Sequence, residues 1–309
     1  MAAPLSGPAF SPTFSPTFSL VFNLDPGVTW AASLDRCAAS SGIPRLTTPE
    51  DDRTGTVVYL GDRLPPRAAG RREFYFLAAC SLPPNDGEGD WAEEAANIAR
   101  VDAVLLVSTS ERDKVAAAGS PPAKLRIVGA PLQVLADPRP APVRRVRHRV
   151  CFIGQLRPIK NPALEVEVVQ ALLSHGYECV HIGWLDREWR DRLEDAGAQI
   201  VTTPSRQAFL EAVAGCGFYA ATSFSESLCL SAMEAVALGC VPVVPDHSGF
   251  RDWCPARYRY AALTVQSAVE RLLALDDAGE TGPGGAVLDR YHPRRFFDRI
   301  DALARGPVP

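Results

Sequence analysis

Two glutamates stand in a largely apolar segment of the second half of the chain, where a carboxylate needs a partner. The segment runs from Ser223 to Val244, and its glutamates are Glu226 and Glu234. Residues 228–238 are mostly apolar and precede Gly239, which predicts a buried helix with a glycine at its C-terminal end and a buried strand after it. A buried carboxylate is costly unless it is hydrogen-bonded. The two acids therefore indicate a site for a polar ligand.

The start of this helix is a second candidate feature. We predict a helix over 227–238 with Ser227 as its N-cap, so that its first backbone amides point outward. An anion is favoured at such an end. These amides belong to Ser227, Leu228, Cys229 and Leu230. A phosphate site flanked by two acids predicts a sugar nucleotide as the ligand.

A second segment contributes cations. An apolar strand over 149–153 turns at Gly154 into a loop that contains Arg157 and Lys160, and a helix starts near Pro162. Proline in the first turn is a typical helix start. The two cations either bind an anion or are solvated loop charges, and their position after a buried strand favours the first interpretation.

Together these segments resemble the donor site of retaining glycosyltransferases with the GT-B fold, above all glycosyltransferase family 4. The resemblance rests on Glu226 and Glu234 with seven residues between them, and on the loop that ends in Lys160 and Asn161. It is strongest over residues 149–255 and weaker over 95–132.

The resemblance implies a role for each residue. Glu226 would face the donor sugar, Glu234 would hold the nucleotide ribose, and Lys160 would contact the diphosphate. Gln155 stands where the family usually has an arginine, and Arg157 in the same loop is the expected substitute. The implied catalytic residues are Glu226, Lys160 and Arg157, and the implied donor-binding residues are Gly154, Gln155, Ser227, Leu228, Cys229, Leu230 and Glu234.

The resemblance also implies a reaction. We expect transfer of a hexose-type sugar from a nucleoside diphosphate, UDP or GDP, with retention of configuration and without a metal or other cofactor. The acceptor is expected to be a saccharide, a lipid-linked molecule or a small molecule. Three alternatives stay open, namely an epimerase or hydrolase of nucleotide sugars, a non-catalytic sugar-nucleotide-binding subunit, and a transferase acting on a modified nucleic-acid base.

The predicted fold class is α/β, with two Rossmann-like domains and a reduced first domain. Strands alternate with helices throughout the 309 residues, which is typical of parallel sheets. We predict a disordered lead over 1–18, an acceptor-side domain over 19–140, a basic linker over 141–148, and a donor domain with a C-terminal helix over 149–309.

Three further residues are candidates for the acceptor side or the cleft. Asp25 and Gly27 follow the first predicted strand, and His247 follows the strand after the glutamate helix. Ligands of open α/β sheets bind at such strand ends. All five histidines come after the first domain, and His181 is interpreted as a core histidine rather than a base.

The composition limits the binding partners and the cellular location that we expect for the protein. A net charge of -4 gives no support to a nucleic-acid partner. Arg144, Arg145, Arg147 and His148 form a basic run that either contacts an anionic lipid or acceptor or is simply solvated, and the solvated interpretation is favoured. The eight cysteines lack close paired spacing, and no stretch reaches the roughly 20 apolar residues of a membrane span. We therefore expect a cytoplasmic protein with at most peripheral membrane contact.

Overall fold

The computed structural model describes residues 16–22, 29–61, 64–67, 70–80, 82, 91–138, 140–203 and 205–307. These residues form two parallel β-sheets of six strands each, connected mostly by helices. Every residue of several central strands is buried, as expected when helices cover both faces of a parallel sheet. The predicted α/β class with two Rossmann-like units is confirmed.

The first sheet has the strand order β2-β1-β3-β4-β5-β6. Its strands are β1 (Ser19–Phe22), β2 (Arg45–Leu46), β3 (Thr56–Leu60), β4 (Arg72–Leu77), β5 (Ala103–Leu106) and β6 (Leu125–Ile127). Its helices are α1 (Thr29–Ser40), α2 (Trp91–Arg100) and α3 (Thr109–Ala117). The described part of the connection from β3 to β4 contains no helix, which agrees with the prediction of a reduced first domain.

The second sheet has the order β12-β11-β10-β7-β8-β9, the order of a Rossmann sheet. Its strands are β7 (Val146–Ile153), β8 (Glu178–Ile182), β9 (Gln199–Val201), β10 (Cys216–Ala220), β11 (Val241–Pro245) and β12 (Arg259–Tyr260). The helices are α4 (Pro162–Ser174), α5 (Arg187–Asp195), α6 (Arg206–Ala214), α7 (Leu230–Ala237), α8 (Phe250–Trp253), α9 (Val265–Asp277) and α10 (Pro293–Arg305). The chain reverses direction across the sheet between β7 and β10, and ligands bind at such a switch point.

The last helix packs on the first domain although it follows the second. The Phe296 ring meets the Phe76 ring of β4 edge-on, with 5.7 Å between centroids. Arg299 donates a hydrogen bond of 2.9 Å to the carbonyl of Val128, just after β6. The predicted division at residue 149 had grouped this helix with the donor domain, whereas its aromatic side completes the core of the first.

The end of the predicted disordered lead is ordered. Phe18 is fully buried and stacks on Phe297 of α10 at 6.3 Å. The backbone amide and hydroxyl of Thr17 both donate to Asp301, at 2.8 and 2.7 Å. Burial of one aromatic ring therefore extends the ordered chain to before residue 18, and residues 1–15 lie outside the described part.

The predicted linker is shorter than 141–148, because β7 already begins at residue 146. Its basic side chains have partners within the chain. Arg145 donates to the carbonyl of Gly239 at 2.6 Å, just beyond the end of α7, where a cation is favoured. Arg147 donates to Asp276 of α9 at 2.6 Å. These contacts within the chain support the interpretation that the basic run is structural and solvated.

All eight cysteines are buried, and none forms a disulfide. No helix in the described part of the chain combines the length and apolar character needed to cross a membrane. The two-residue strands β2 and β12 and the helices α8 and α9 were not predicted from the sequence.

Candidate functional site

A cleft of about 360 Å³ opens between the carboxyl ends of the two sheets. The first domain contributes an apolar wall that includes Leu34, Phe76, Ala78, Val107, Ala130 and Pro131. The second domain contributes Arg157, Lys160, Glu226 and residues 227–231. These residues follow β7 and β10, the two strands at the switch point. The structure therefore brings most of the predicted site residues to one place.

Lys160 and Glu226 form an ion pair at the floor of this cleft. The ammonium group of Lys160 donates to Oε1 of Glu226, and the Ser223 hydroxyl donates to the same oxygen at 2.7 Å. Burial disfavours the charged lysine, but the Glu226 carboxylate outweighs it, so the pKa of Lys160 lies above its ordinary value. The side chains are 24% and 10% exposed, so the pair remains reachable from the cleft.

Helix α7 begins at Leu230, three residues later than predicted. Its N-cap is Cys229 and not Ser227, and Cys229 has a left-handed backbone with φ of 61° and no side-chain cap. The loop before it is held by other contacts, since the Trp253 indole donates to the carbonyl of Leu228 at 2.9 Å. The first intrahelical bond runs from the Met233 amide to the Cys229 carbonyl, so the amides of residues 230–232 lack intrahelical partners.

Cys229 itself is a buried thiol and carries no charge near neutral pH. Burial raises its pKa to about 11, and the Glu226 carboxylate adds to this effect. Its sulfur lies 3.5 Å from the Tyr219 hydroxyl. Leu230 and Ser231, whose amides lack intrahelical partners, both line the cleft.

Glu234 has a partner that the sequence did not indicate. Its Oε1 accepts a hydrogen bond of 2.5 Å from Arg206, the first residue of α6, and Arg206 also donates to Asp137 at 2.9 Å. Burial raises the pKa of Glu234, and Arg206 offsets this only in part. Glu234 lies outside the residues that line the cleft, one turn further along α7 than Leu230.

The remaining residues of the donor loop are Arg157, which lines the cleft, and Gly154 and Gln155, which precede it in the chain and lie outside the lining. Arg157 and Gln155 are exposed, and Arg157 forms no ion pair within the described part of the chain. Gly154 has a φ of 123°, a conformation that favours glycine. Arg157 therefore has a free guanidinium where the resemblance calls for a second cation.

The described non-glycine residues with a left-handed backbone all lie at this site. They are Asn161 after Lys160, Cys229 before α7, and Ser248 after His247. Such conformations cost roughly 1–3 kcal/mol each and cluster at functional sites. Two of them have no signature in the sequence, because cysteine and serine carry no preference for this conformation.

His247 follows β11, and its Nδ1 lies 3.0 Å from the Ser248 hydroxyl. Burial lowers its pKa, and the Ser223 backbone and Glu226 carboxylate offset this only in part, so His247 is neutral at pH 7. The predicted candidates Asp25 and Gly27 lie outside the described residues. Within the described residues, no cluster of His, Cys, Asp or Glu has the arrangement of a metal site.

The fold agrees with comparisons to known proteins. Residues 147–274 match the model of the family described as glycosyl transferases group 1. No curated protein matches the chain in sequence.

Solved structures with similar folds cover most of the chain. HepE of Anabaena, solved with UDP and glucose, is similar with a TM-score of 0.68 at 10% identity, over 93% of this chain and 98% of HepE. WaaB, a lipopolysaccharide outer core galactosyltransferase, is similar with a TM-score of 0.64 at 11% identity, over 94% of this chain and 99% of WaaB. A mutant of S. aureus TarM, solved with UDP among other ligands, has a TM-score of 0.63 at 11% identity, over 81% of this chain but 55% of TarM.

The chain therefore has the GT-B fold, as predicted. Its second domain carries the glycosyl transferases group 1 match, which confirms the resemblance at that level. Assignment to family 4 and retention of configuration stay predictions.

Proposed function

We propose that the protein transfers a sugar from a nucleoside diphosphate to an acceptor hydroxyl or similar group, without a metal. One observation carries this proposal. Arg157, Lys160, Glu226 and the first amides of α7 converge on a single cleft between the two domains. Cations, free amides and a carboxylate in one cleft match the chemistry of a nucleotide sugar, which joins a diphosphate to a polyol.

In this proposal the charge that develops on the leaving diphosphate is stabilised by fixed groups. Lys160 and Arg157 supply positive charge, and the amides of Leu230 and Ser231 add the field of a helix N-terminus. Because these groups are in place before the reaction, they need little reorganisation as the bond to the sugar breaks. A resident metal is then unnecessary for this step.

Glu226 is proposed to bind hydroxyl groups of the donor sugar. Its Oε1 is engaged by Lys160 and Ser223, which holds the carboxylate at the cleft floor and leaves Oε2 for a ligand. His247 follows β11, at the same carboxyl edge of the sheet as Glu226, which follows β10. Attack on the face from which the diphosphate departs would give retention, and no second carboxylate lines the described cleft as a nucleophile.

The donor is proposed to be a UDP or GDP sugar. UDP is favoured, because HepE and TarM have been solved with UDP. Binding is tested by thermal unfolding with UDP, GDP, ADP and TDP and their sugars, since a ligand at 100 times its Kd adds about 2.7 kcal/mol. Transfer is then tested by release of free nucleotide in the presence of saccharide, lipid-linked and small-molecule acceptors. Absence of stabilisation by every nucleotide would contradict the proposal.

A non-catalytic sugar-nucleotide-binding subunit is the second candidate. It is favoured by Gln155 at the position of the family arginine and by the neutralisation of Lys160 by Glu226. The two candidates differ in one measurement. Nucleotide binding without any turnover across the acceptor panel indicates the subunit, whereas turnover indicates the transferase.

A further inference from the structure

A buried ion pair lies directly beneath the donor loop. His181 of β8 is 1% exposed, and its Nδ1 lies 2.6 Å from Oε1 of Glu165 on α4. Its Nε2 lies 2.8 Å from the carbonyl oxygen of Gly154. A carbonyl oxygen only accepts, so Nε2 carries the hydrogen of this bond. At 2.6 Å, Nδ1 and the carboxylate also share a proton, and both ring nitrogens are thus engaged.

This contact fixes the orientation of the peptide that joins Gly154 to Gln155. A trans peptide is planar, so its carbonyl and its N–H point in opposite directions. Since the Gly154 carbonyl points inward to His181, the Gln155 amide points outward from the core. Gln155 is exposed, and its amide has no hydrogen-bond partner among the described residues.

The backbone around this peptide is built to allow the inward carbonyl. Gly154 has a φ of 123°, which other residues rarely adopt. A Cβ at Gly183 would lie 2.6 Å from the Gly154 oxygen, so only glycine leaves room for it. The amide of Gly154 donates to the carbonyl of Ile182 at 3.1 Å, which holds the other end of the residue.

Stability alone gives no reason for this ion pair. Replacing a buried pair with apolar residues of similar volume is often neutral or stabilising. The neighbours of Glu165 and His181 along their elements, Leu164, Val166, Val180 and Ile182, are all buried and apolar. What a polar pair adds at this place is a hydrogen-bond donor for the Gly154 carbonyl.

We propose that His181 and Glu165 are positioning residues, which hold the Gly154 peptide so that the Gln155 amide donates to the donor diphosphate. Glu165 orients the imidazole, and the imidazole orients the peptide. The backbone amide thereby supplies part of the anion binding that an arginine side chain at position 155 would supply. This inference rests on the proposed function in one respect, the identity of the anion.

Two double variants separate the hydrogen bond from the charge. E165L/H181L removes both, while E165Q/H181Q removes the charge but keeps a side-chain donor within reach of the Gly154 carbonyl. Two readouts are used, the Kd for UDP and GDP by calorimetry, and hydrogen exchange of the Gly154 amide without nucleotide. Cys179→Ala, on the same face of β8 with its sulfur facing the Val169 carbonyl of α4, is the matched packing control.

We expect E165L/H181L to unfold at the temperature of the wild type or above it, to bind nucleotide about tenfold more weakly, and to exchange the Gly154 amide faster. We expect E165Q/H181Q and Cys179→Ala to stay within about threefold of the wild-type Kd, less than the loss of one net hydrogen bond. If the Gly154 amide of E165L/H181L exchanged at the wild-type rate and the variant bound nucleotide with wild-type affinity, the inference would be overturned.

The design stays informative in two difficult cases. If E165L/H181L does not fold, E165Q/H181L replaces it, because it differs from E165Q/H181Q only in the donor to Gly154. If the wild type binds no nucleotide, the proposed function fails, yet hydrogen exchange still decides the positioning role. Unchanged Gly154 exchange in the variant without a donor then overturns the inference independently.

Discussion

Arg206 forms an ion pair with Glu234 and donates it a hydrogen bond of 2.5 Å. The carboxylate that is expected to hold the nucleotide ribose is therefore already engaged. Arg206 also donates to Asp137, which accepts at 2.9 Å from the Gln133 amide. Gln133 in turn accepts from Arg36 on α1 of the first domain at 3.0 Å. A polar chain thus joins the first helix of one domain to the candidate ribose residue of the other.

Arg206→Ala should lower stability more than nucleotide affinity. The change leaves a carboxylate of Glu234 that is only 13% exposed without its partner, at a cost of about 1–3 kcal/mol. The same change frees Glu234 to accept from ribose hydroxyls, so the Kd for nucleotide should change less than tenfold. Urea unfolding and calorimetry measure the two effects.

Glu234→Gln is the counterpart of this variant. It keeps the size of the side chain but weakens the ribose contact proposed for Glu234, so nucleotide affinity should fall by about tenfold, the loss of one charged hydrogen bond. Arg206→Lys serves as the control that keeps the charge. Equal affinity in wild type and Glu234→Gln would remove Glu234 from the donor site.

Lys160→Ala and Glu226→Gln should have opposite effects on nucleotide binding. Without Lys160, the Glu226 carboxylate faces the diphosphate without its counter-charge, so the Kd should rise at least tenfold. Without the charge of Glu226, the Lys160 ammonium is free for the diphosphate, and the Kd for free nucleotide should stay equal or fall. Turnover of the sugar donor should nevertheless drop in Glu226→Gln.

Arg157→Ala is the comparison for this pair, since Arg157 has no ion pair to lose within the described residues. If it stands in for the family arginine, its loss weakens nucleotide binding without lowering stability. If Arg157→Ala bound nucleotide with wild-type affinity, Arg157 would be interpreted as a solvated loop charge. A fall in affinity for Glu226→Gln as large as that for Lys160→Ala would contradict the assigned roles.

The sequence predicted the second domain well because its signals are local. Helix α4 begins at Pro162, as predicted, since a proline marks its start and apolar residues fill its buried side. The start of α7 was placed too early, because the left-handed Cys229 has no sequence signature. The strands β2 and β12 have two residues each, too few for a periodic pattern.

The ion pairs of the site could not be predicted from the sequence, for a different reason. Arg206 lies 28 residues from Glu234, and His181 lies 16 residues from Glu165, so each contact depends on how separate elements meet. Residue types predicted that Glu234 needs a partner but gave no means to choose among many arginines. The interpretation of His181 as a core histidine was correct in its burial but missed its contact with the donor loop.

Phe297→Ala should destabilise the first domain, although residue 297 follows the second in sequence. Phe297 is fully buried, stacks on Phe18 and meets Phe296 edge-on. Truncation of a buried phenylalanine costs about 3–5 kcal/mol. Hydrogen exchange should therefore rise in β1 and β4 and stay unchanged in β8. An increase confined to the second sheet would contradict the placement of α10.

EDTA should leave donor turnover largely unchanged. Lys160, Arg157 and the amides at the start of α7 already face the cleft where the diphosphate is expected. The comparison is between initial rates of nucleotide release with EDTA and with added Mg²⁺ or Mn²⁺. A strict requirement for either ion would contradict the proposed stabilisation of the leaving group.

The stability of the protein should fall as the pH rises above 6.5, because of His181. Burial disfavours its charged form, but the Glu165 carboxylate and the Gly154 carbonyl outweigh burial, so the folded pKa lies above the ordinary 6.5. A raised folded pKa means that the folded state holds its proton more tightly than the unfolded state. The resulting stabilisation is fully present below pH 6.5 and is lost as the pH rises through the folded pKa.

The matched comparison for this effect is E165Q/H181Q, which contains no titrating pair at this position. Lys160 and Glu226 line the same small cavity as Glu165 and are present in both proteins, so their contributions cancel in the difference. Urea unfolding across the neutral and alkaline range should give a wild-type advantage that decreases with pH. A difference that is constant with pH would mean that His181 is neutral in the folded protein and that its bond to Glu165 carries no extra proton.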